Sequence, residues 1–427
     1  MASSVHSIPH RPRIVLMCFL LVCLGLNTRQ VLLYFSLGPA ASDFRIFMTG
    51  ANMVRGGQGR ELYNFAAQEA VQTRLYPETR NSGLLPFNHL PYELLLYLPL
   101  SYLPYRAALV AWQMLNVGIV LAISALMRPY TAALRQALGL PVPLLLFAFY
   151  PVTYVLAEGQ DSLLFLFLLI ASLRCLDANR AFVAGLVLAS ACFKFHLALA
   201  IAGFAFVLTR RWLAAAGFCV GAFFALMVSA AMTGLHFARD YSSMLRQQEM
   251  TTPWGFIPRF MPNLRGLLEW SLSPKLDVGA IFLIVVAVSV LISLSAAWLV
   301  LRSPGLNTSP AYSLAILTTI LVSYHFHLQD LAIASLPMIL LLNLMCRKNV
   351  PPAWKAPLTI GLLIFYGFPL LTLPFPGLLA TGCLLTVPLL LLWIVSVRAV
   401  SRSEWFEDDQ RSTIPSITGI SGSEGSV

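Results

Sequence analysis

Along most of the chain the apolar residues come in unbroken runs, with neither a single helical stripe nor a two-residue alternation. Helices that are apolar all round are either buried or lie in lipid. Threaded at roughly 20 residues per crossing, the runs predict about twelve transmembrane helices. They fall near 14–37, 106–127, 141–157, 161–177, 181–194, 196–209, 212–233, 278–301, 311–326, 328–346, 356–372 and 376–399. Several are shorter than a perpendicular crossing requires, so half-helices or re-entrant pairs are expected among them. The polar punctuation fits this threading. With the N-terminus inside, the turns on the inner face hold Arg128, Arg135, Arg174, Arg180, Arg210, Arg211, Arg302, Arg347, Lys348, Arg398 and Arg402. The short turns opposite hold Lys194 and almost no other base. That asymmetry is what the positive-inside rule requires, and it puts both termini in the cytoplasm. No small-residue cleavage site follows the first run, which reads as a retained anchor.

Two long loops fall on the extracytoplasmic side. Residues 38–105 predict helices around 44–55 and 61–75, then a segment rich in proline and aromatics. The apolar stretch 94–103 is too short to span and is expected in the interface, or dipping in and returning. Residues 234–277 carry Pro253-Trp254 and the run Met261-Pro262-Asn263-Leu264-Arg265-Gly266. Residues 1–403 therefore read as one transmembrane domain containing both loops. From Glu404 to Val427 the chain is Ser/Gly-rich and reads as a disordered cytoplasmic tail.

Composition narrows the class. The chain is 58% hydrophobic and only 11% charged, against about 25% charged in soluble domains. An all-α polytopic membrane protein is the expected fold. The net charge of +10 lies largely in short loops, where it sets orientation, so no nucleic-acid partner is expected. Seven cysteines sit in or beside apolar runs and read as small packing residues.

Against this background, ionisable residues at the span ends stand out, since each costs about 2.5–3.5 kcal/mol within a span. Glu158-Gly159-Gln160-Asp161 joins two spans with barely a loop, and Lys194-Phe195-His196 lies between two short apolar runs. His325, His327 and Asp330 close a third cluster. The threading puts all three on the face that carries Asp43 and Asn88-His89. Each has a plain alternative. Glu158 and Asp161 could be solvated turn residues. Lys194 and Arg29 could snorkel to the interface or contact lipid phosphate. His325 and His327 could hold a metal, contact phosphate or simply pack. Asp43 either caps the helix that starts near Phe44 or acts as a base.

Taken together and in order, these elements resemble the polytopic bacterial glycosyltransferases of the GT-C class, specifically glycosyltransferase family 87, the polyprenol-phosphate-mannose-dependent mannosyltransferases. The resemblance rests on Asp43-Phe44, Gly56-Gly57, Leu62-Tyr63, Leu103-Pro104-Tyr105, Trp112 with Leu115-Asn116, and Glu158-Gly159-Gln160. It continues through Lys194-Phe195-His196, the 261–266 run and His327 with Asp330-Leu331. The family usually has Lys-Pro where this chain has Lys194-Phe195, and often Tyr-Pro-Pro where it has His89-Leu90-Pro91-Tyr92.

The resemblance implies a GT-C fold and an inverting transfer of a sugar, mannose by analogy. The donor is a polyprenyl-phosphate-linked sugar and the acceptor a lipid or glycan. The reaction would run at the extracytoplasmic face of the bacterial inner membrane. Asp43 becomes the general base, with Lys194, His327, His196 and Arg29 as candidates for the donor phosphate. Asn88, His89, Glu158, Gln160, Asp161, His325, Asp330, Asn263 and Arg265 become candidate pocket residues. No cofactor is implied, and the side chains demand no metal while leaving room for a divalent ion. A multi-pass transporter or flippase is the alternative, since intramembrane Lys, His and Asp also mark substrate pathways.

Overall fold

The computed structural model describes residues 10–251, 257–273, 275–303, 308–347, 352–372 and 376–401. The predicted tail, Pro253-Trp254, Lys348 and Arg402 lie outside the described residues. Among those described, helix follows helix with no β-strand, which makes this an all-α polytopic membrane protein.

Six described helices are long and apolar enough to cross a membrane: Arg11–Leu37, Tyr105–Leu126, Trp212–Thr233, Val278–Leu301, Ala353–Thr372 and Thr381–Val400. Two bent pairs raise the number to eight if each is one span. The sequence-based count of twelve is therefore not reproduced by length and composition. The shortfall lies in the inner helices. Ser162–Asp177 and Thr308–Val322 have 16 and 15 residues, and the second is buried along almost its whole length. A helix wrapped by protein need not match the bilayer, and broken backbone is tolerated there. The outer helix Val278–Leu301 instead presents Leu283, Leu291 and Leu294, each over 60% exposed. Water would not accept that surface; lipid does.

The breaks have local causes. Pro151 lacks an N–H and cannot continue the helix Val142–Ala148. Phe149 turns extended, and a new helix, Tyr150–Glu158, begins with the proline in its first turn. The carbonyls freed by the break are met by Asn27, whose Nδ2 donates to Ala148 (3.0 Å) and Phe147 (3.3 Å). Asn27 is itself buried in the first helix, α1 (His10–Leu37). The runs 181–194 and 196–209 form one pair, Ala181–Ala189 and Cys192–Val207, bent by 64°. Lys194 sits at that bend.

The first loop folds much as its pattern predicts. Helices α2 (Phe44–Arg55) and α3 (Phe65–Leu75) carry it, and Asn64 caps α3 by accepting from the Ala67 N–H at 3.2 Å. Short helices Leu94–Tyr97 and Leu100–Tyr102 follow, with Leu95, Leu96, Tyr102 and Leu103 exposed. The second loop supplies the helices Phe237–Thr251 and Leu264–Leu272.

Candidate active site

Gly159 builds the first half of the site. It ends the helix Tyr150–Glu158 at φ +69°, the left-handed cap that glycine adopts without strain. A Cβ there would come within 2.7 Å of the Phe44 Cβ. The absence of a side chain lets the Glu158–Gln160 turn press against the Asp43-Phe44 corner. Three hydrogen bonds then stitch corner to turn. Gln160 Nε2 donates to Asp43 Oδ2 at 2.7 Å, the Asp43 N–H donates to Glu158 Oε2 at 3.3 Å, and Ser42 Oγ donates to the Glu158 carbonyl at 2.9 Å. Trp112 Nε1, from the helix Tyr105–Leu126, reaches the Gln160 carbonyl at 3.4 Å, and its ring stacks on Phe44.

Asp43 precedes α2, yet its side chain makes no capping hydrogen bond. Its carboxylate turns to Gln160 instead, so the capping reading is replaced by an inward-facing one. No Lys, Arg or His among the described residues pairs with it within 4.0 Å. Burial pushes its pKa above the usual carboxylate range; the Gln160 hydrogen bond, then His327, Arg45 and Lys194, pull it part of the way back. Burial, then Asp43, also push Glu158 well above that range. Glu158 and Asp161 are both buried, away from the solvated-turn reading.

The second half is an ion network around Lys194. Lys194 Nζ lies 2.8 Å from Asp161 Oδ1 and 2.7 Å from Asp330 Oδ1, with all three side chains less than 10% exposed. Ser162 Oγ donates to Asp330 Oδ1 at 3.0 Å, and the His327 N–H donates to Asp330 Oδ2 at 3.0 Å. On the far side of Asp161, His89 Nδ1 stands 3.3 Å from Asp161 Oδ2 and 2.7 Å from Glu93 Oε2. Burial pulls His89 down, but Glu93 and Asp161 outweigh it and raise its pKa to about 10. Burial raises Glu93 to about 8 against the pull of His89. Burial likewise pushes Asp161 up, yet Lys194 and His89 hold it below the usual carboxylate range. Lys194 neither snorkels nor stands free; two carboxylates already neutralise it.

Ligand atoms of His89, Glu93 and Asp161 lie within 4.8 Å of one another, close enough to share a divalent ion. The charges also balance with protons alone. With Glu93 protonated, which burial favours, Lys194 and protonated His89 offset Asp161 and Asp330.

The remaining histidines pack together. His325 and His327 meet edge to face with ring centroids 4.4 Å apart, and His196 Nε2 donates to the His325 carbonyl at 3.1 Å. Burial keeps both His325 and His327 below the ordinary imidazole value; for His327, Asp330 and Asp43 oppose it. His327 is thus tied to Asp330 by its backbone and coupled in charge to Asp43.

Other predicted residues lie around this centre. Asn263 caps the helix Leu264–Leu272, accepting from the Gly266 N–H at 2.8 Å, and donates to the Ser323 carbonyl at 2.8 Å. Arg265 pairs with Glu269 (2.7 Å) and Glu249 (2.9 Å) and lies over the Tyr324 ring. Both buttress the turn that carries His325 and His327. Asn88 holds the two loops together: its carbonyl accepts from Tyr241 at 3.0 Å and its Nδ2 reaches Gln248 at 3.5 Å. Arg29 is exposed on α1 and joins none of these contacts among the described residues.

Two residues escaped the sequence reading. Glu93 follows His89 by four positions, a spacing that places two side chains on one helical face and was a readable signal. Arg45 is 2% exposed, and its Nε and Nη1 have no hydrogen-bond partner. Its position beside Asp43 was visible; its burial was not.

The profile of glycosyltransferase family 87 matches residues 88–323. The match spans more than half of the chain, and the chain belongs to that family. It is also 25% identical over 265 residues to the polyprenol-phosphate-mannose-dependent alpha-(1-2)-phosphatidylinositol pentamannoside mannosyltransferase of Mycolicibacterium smegmatis (strain ATCC 700084 / mc(2)155). The alignment covers 60% of this chain and 58% of that relative. No solved structure matches.

Proposed function

We propose that this protein is an inverting glycosyltransferase. It moves a sugar, mannose by its relative's name, from a polyprenyl-phosphate donor to a hydroxyl of a lipid or glycan acceptor. The setting is the extracytoplasmic face of the bacterial inner membrane. One observation carries the reading: Asp43 is oriented by Gln160 yet paired with no cation among the described residues, and its pKa is raised by burial. A base needs that combination, since an ion-paired carboxylate is a weak proton acceptor. Asp43 takes the proton as the acceptor oxygen attacks the anomeric carbon. The bond from that carbon to the phosphate oxygen breaks, and its electron pair leaves with the lipid phosphate. One displacement with one base inverts the centre, without the two-carboxylate arrangement of retaining glycosidases.

Purified protein reconstituted with polyprenyl-phosphate-mannose and a membrane-lipid extract is expected to mannosylate an extracted lipid or glycan. We propose further that this transfer survives EDTA, because the His89–Glu93–Asp161 cluster is neutralised by protons. Activity lost to the chelator and restored by Mn²⁺ or Mg²⁺ would instead assign that cluster an ion. No transfer with any prenyl donor, together with flux of a lipid-linked sugar across the vesicle, would establish the transporter.

The Gln160 hydrogen bond yields a pH prediction. It stabilises the charged form of Asp43, so its removal raises the Asp43 pKa further. Gln160→Leu is expected to move the acid limb of kcat/KM to higher pH. Loss of orientation should also lower kcat by about 10- to 100-fold. A pH–rate profile with an unmoved acid limb would separate Gln160 from the base.

A further inference from the structure

In the proposed transfer, negative charge must travel. The acceptor's proton neutralises Asp43, while the phosphate goes from a diester with one charge to a monoester carrying about −1.5 to −2. A fixed cation that senses both places keeps the site balanced throughout and favours the transition state. Most cations near the site are committed elsewhere. Lys194 is held by Asp161 and Asp330, and Arg265 by Glu249 and Glu269. Arg29 is exposed on α1, and His196 donates to a carbonyl.

Arg45 is different. It occupies the first turn of α2, two residues after Asp43, and is only 2% exposed. Asp43 is its foremost charged neighbour, yet among the described residues no carboxylate comes within 4.0 Å of its nitrogens. Its Nε and Nη1 have no acceptor among the described residues. Unmet N–H donors on a buried guanidinium are costly and mark a place where a ligand belongs. Free N–H donors on a guanidinium suit phosphate oxygens. The gap from Asp43 matters too, because a cation in contact with the base would weaken it. One out of contact with the base is free to hold a leaving group across the sugar.

We infer that Arg45 is the anion site that binds the donor's phosphate and holds it as it departs. This rests on the transferase reading above. Arg45 donates N–H bonds only; no proton is transferred from it.

The test measures binding of polyprenyl phosphate, the spent donor, to wild type, Arg45→Gln and Arg45→Lys, each checked for folding by thermal unfolding. Steady-state kinetics with both substrates follow. Arg45→Gln is expected to weaken polyprenyl-phosphate binding and kcat/KM for the donor by about 10²–10³-fold, with the acceptor's KM little changed. Arg45→Lys keeps the charge without the planar guanidinium donors and should fall between. Inorganic phosphate and phosphatidylglycerol serve as competing probes: competition by phosphate alone marks headgroup recognition, and competition by both marks general anion capture, which overturns the assignment. Unchanged polyprenyl-phosphate affinity in Arg45→Gln also overturns it, as does a raised KM confined to the acceptor. Should Arg45→Gln fail to fold, wild-type affinity in Arg45→Lys is the overturning result. Failure of wild type itself to bind polyprenyl phosphate or to transfer sugar would count against the transferase reading instead.

Discussion

Asp43→Asn is expected to abolish sugar transfer and at the same time to make the folded protein more resistant to heat. The first effect follows from chemistry. Asn is close in size and still meets Gln160, but it cannot accept the acceptor's proton. General-base catalysis is worth about 10²–10⁴-fold, so kcat should fall by at least that factor. The second effect follows from the direction of the Asp43 pKa. Burial raises it above the ordinary value, so the folded state binds that proton more tightly than the unfolded chain does. Stability then declines as pH rises through the interval between the two values, and the full penalty persists above the folded pKa. Replacing the carboxylate with a neutral amide removes the penalty, so the gain in melting temperature should be largest at neutral pH and vanish in acid. Site residues that are good for chemistry are often poor for stability. Residual transfer within tenfold of wild type would move the base to another residue, with Glu158 and Asp161 next to be tested. A drop in melting temperature at pH 7 would mean that Asp43 is a structural carboxylate.

Much of this arrangement could be read before any coordinates, and the limits have physical causes. Apolar runs report helices that meet lipid on their outer face, so the predicted spans 14–37, 106–127, 212–233, 278–301, 356–372 and 376–399 each have a long helix in the structure. Runs such as 161–177 and 311–326 are equally apolar because protein surrounds them. Hydropathy cannot separate the two environments, which is why twelve crossings were expected. The convergence of Asp43, Glu158, Lys194 and Asp330 was legible because charges at span ends are rare and the threading set them on one face. Their pairing was not. Nothing in the string Lys194-Phe195-His196 says that its ammonium is neutralised by residues 33 positions before it and 136 after. Asn263 and Arg265 looked like pocket residues because polar groups in an outer loop usually meet substrate. They brace the turn at Ser323–Tyr324. Arg45 was hidden for the converse reason, since an arginine in a loop helix is ordinarily solvated and only packing reveals that this one is enclosed.

Lys194→Met is expected to produce the largest loss of stability of any single change in the site. The substitution is nearly isosteric, so packing changes little, but it strips the shared cation from Asp161 and Asp330. Two carboxylates, less than 10% exposed and joined through one ammonium, would then face each other without it. Breaking a buried pair by removing one partner costs about 3–5 kcal/mol, because the surviving charge stays desolvated. Asp161 keeps His89 at 3.3 Å, and Asp330 keeps Ser162 and the His327 N–H. Those contacts soften the loss but supply only one shared positive charge. The damage should spread along the network, since Asp330 anchors the His327 turn and Asp161 the His89–Glu93 pair. Thermal unfolding in detergent measures the effect, and a second variant separates charge from shape. Lys194→Met combined with Asp161→Asn and Asp330→Asn removes all three charges and should recover most of the lost stability, as neutralised buried ion pairs commonly do. If the single variant loses less than about 1 kcal/mol, as an exposed pair would, the two aspartates must find protons or water readily, and the network is open to solvent. Recovery of stability in the triple variant without recovery of transfer would separate the role of these charges in folding from their role in shaping the donor site.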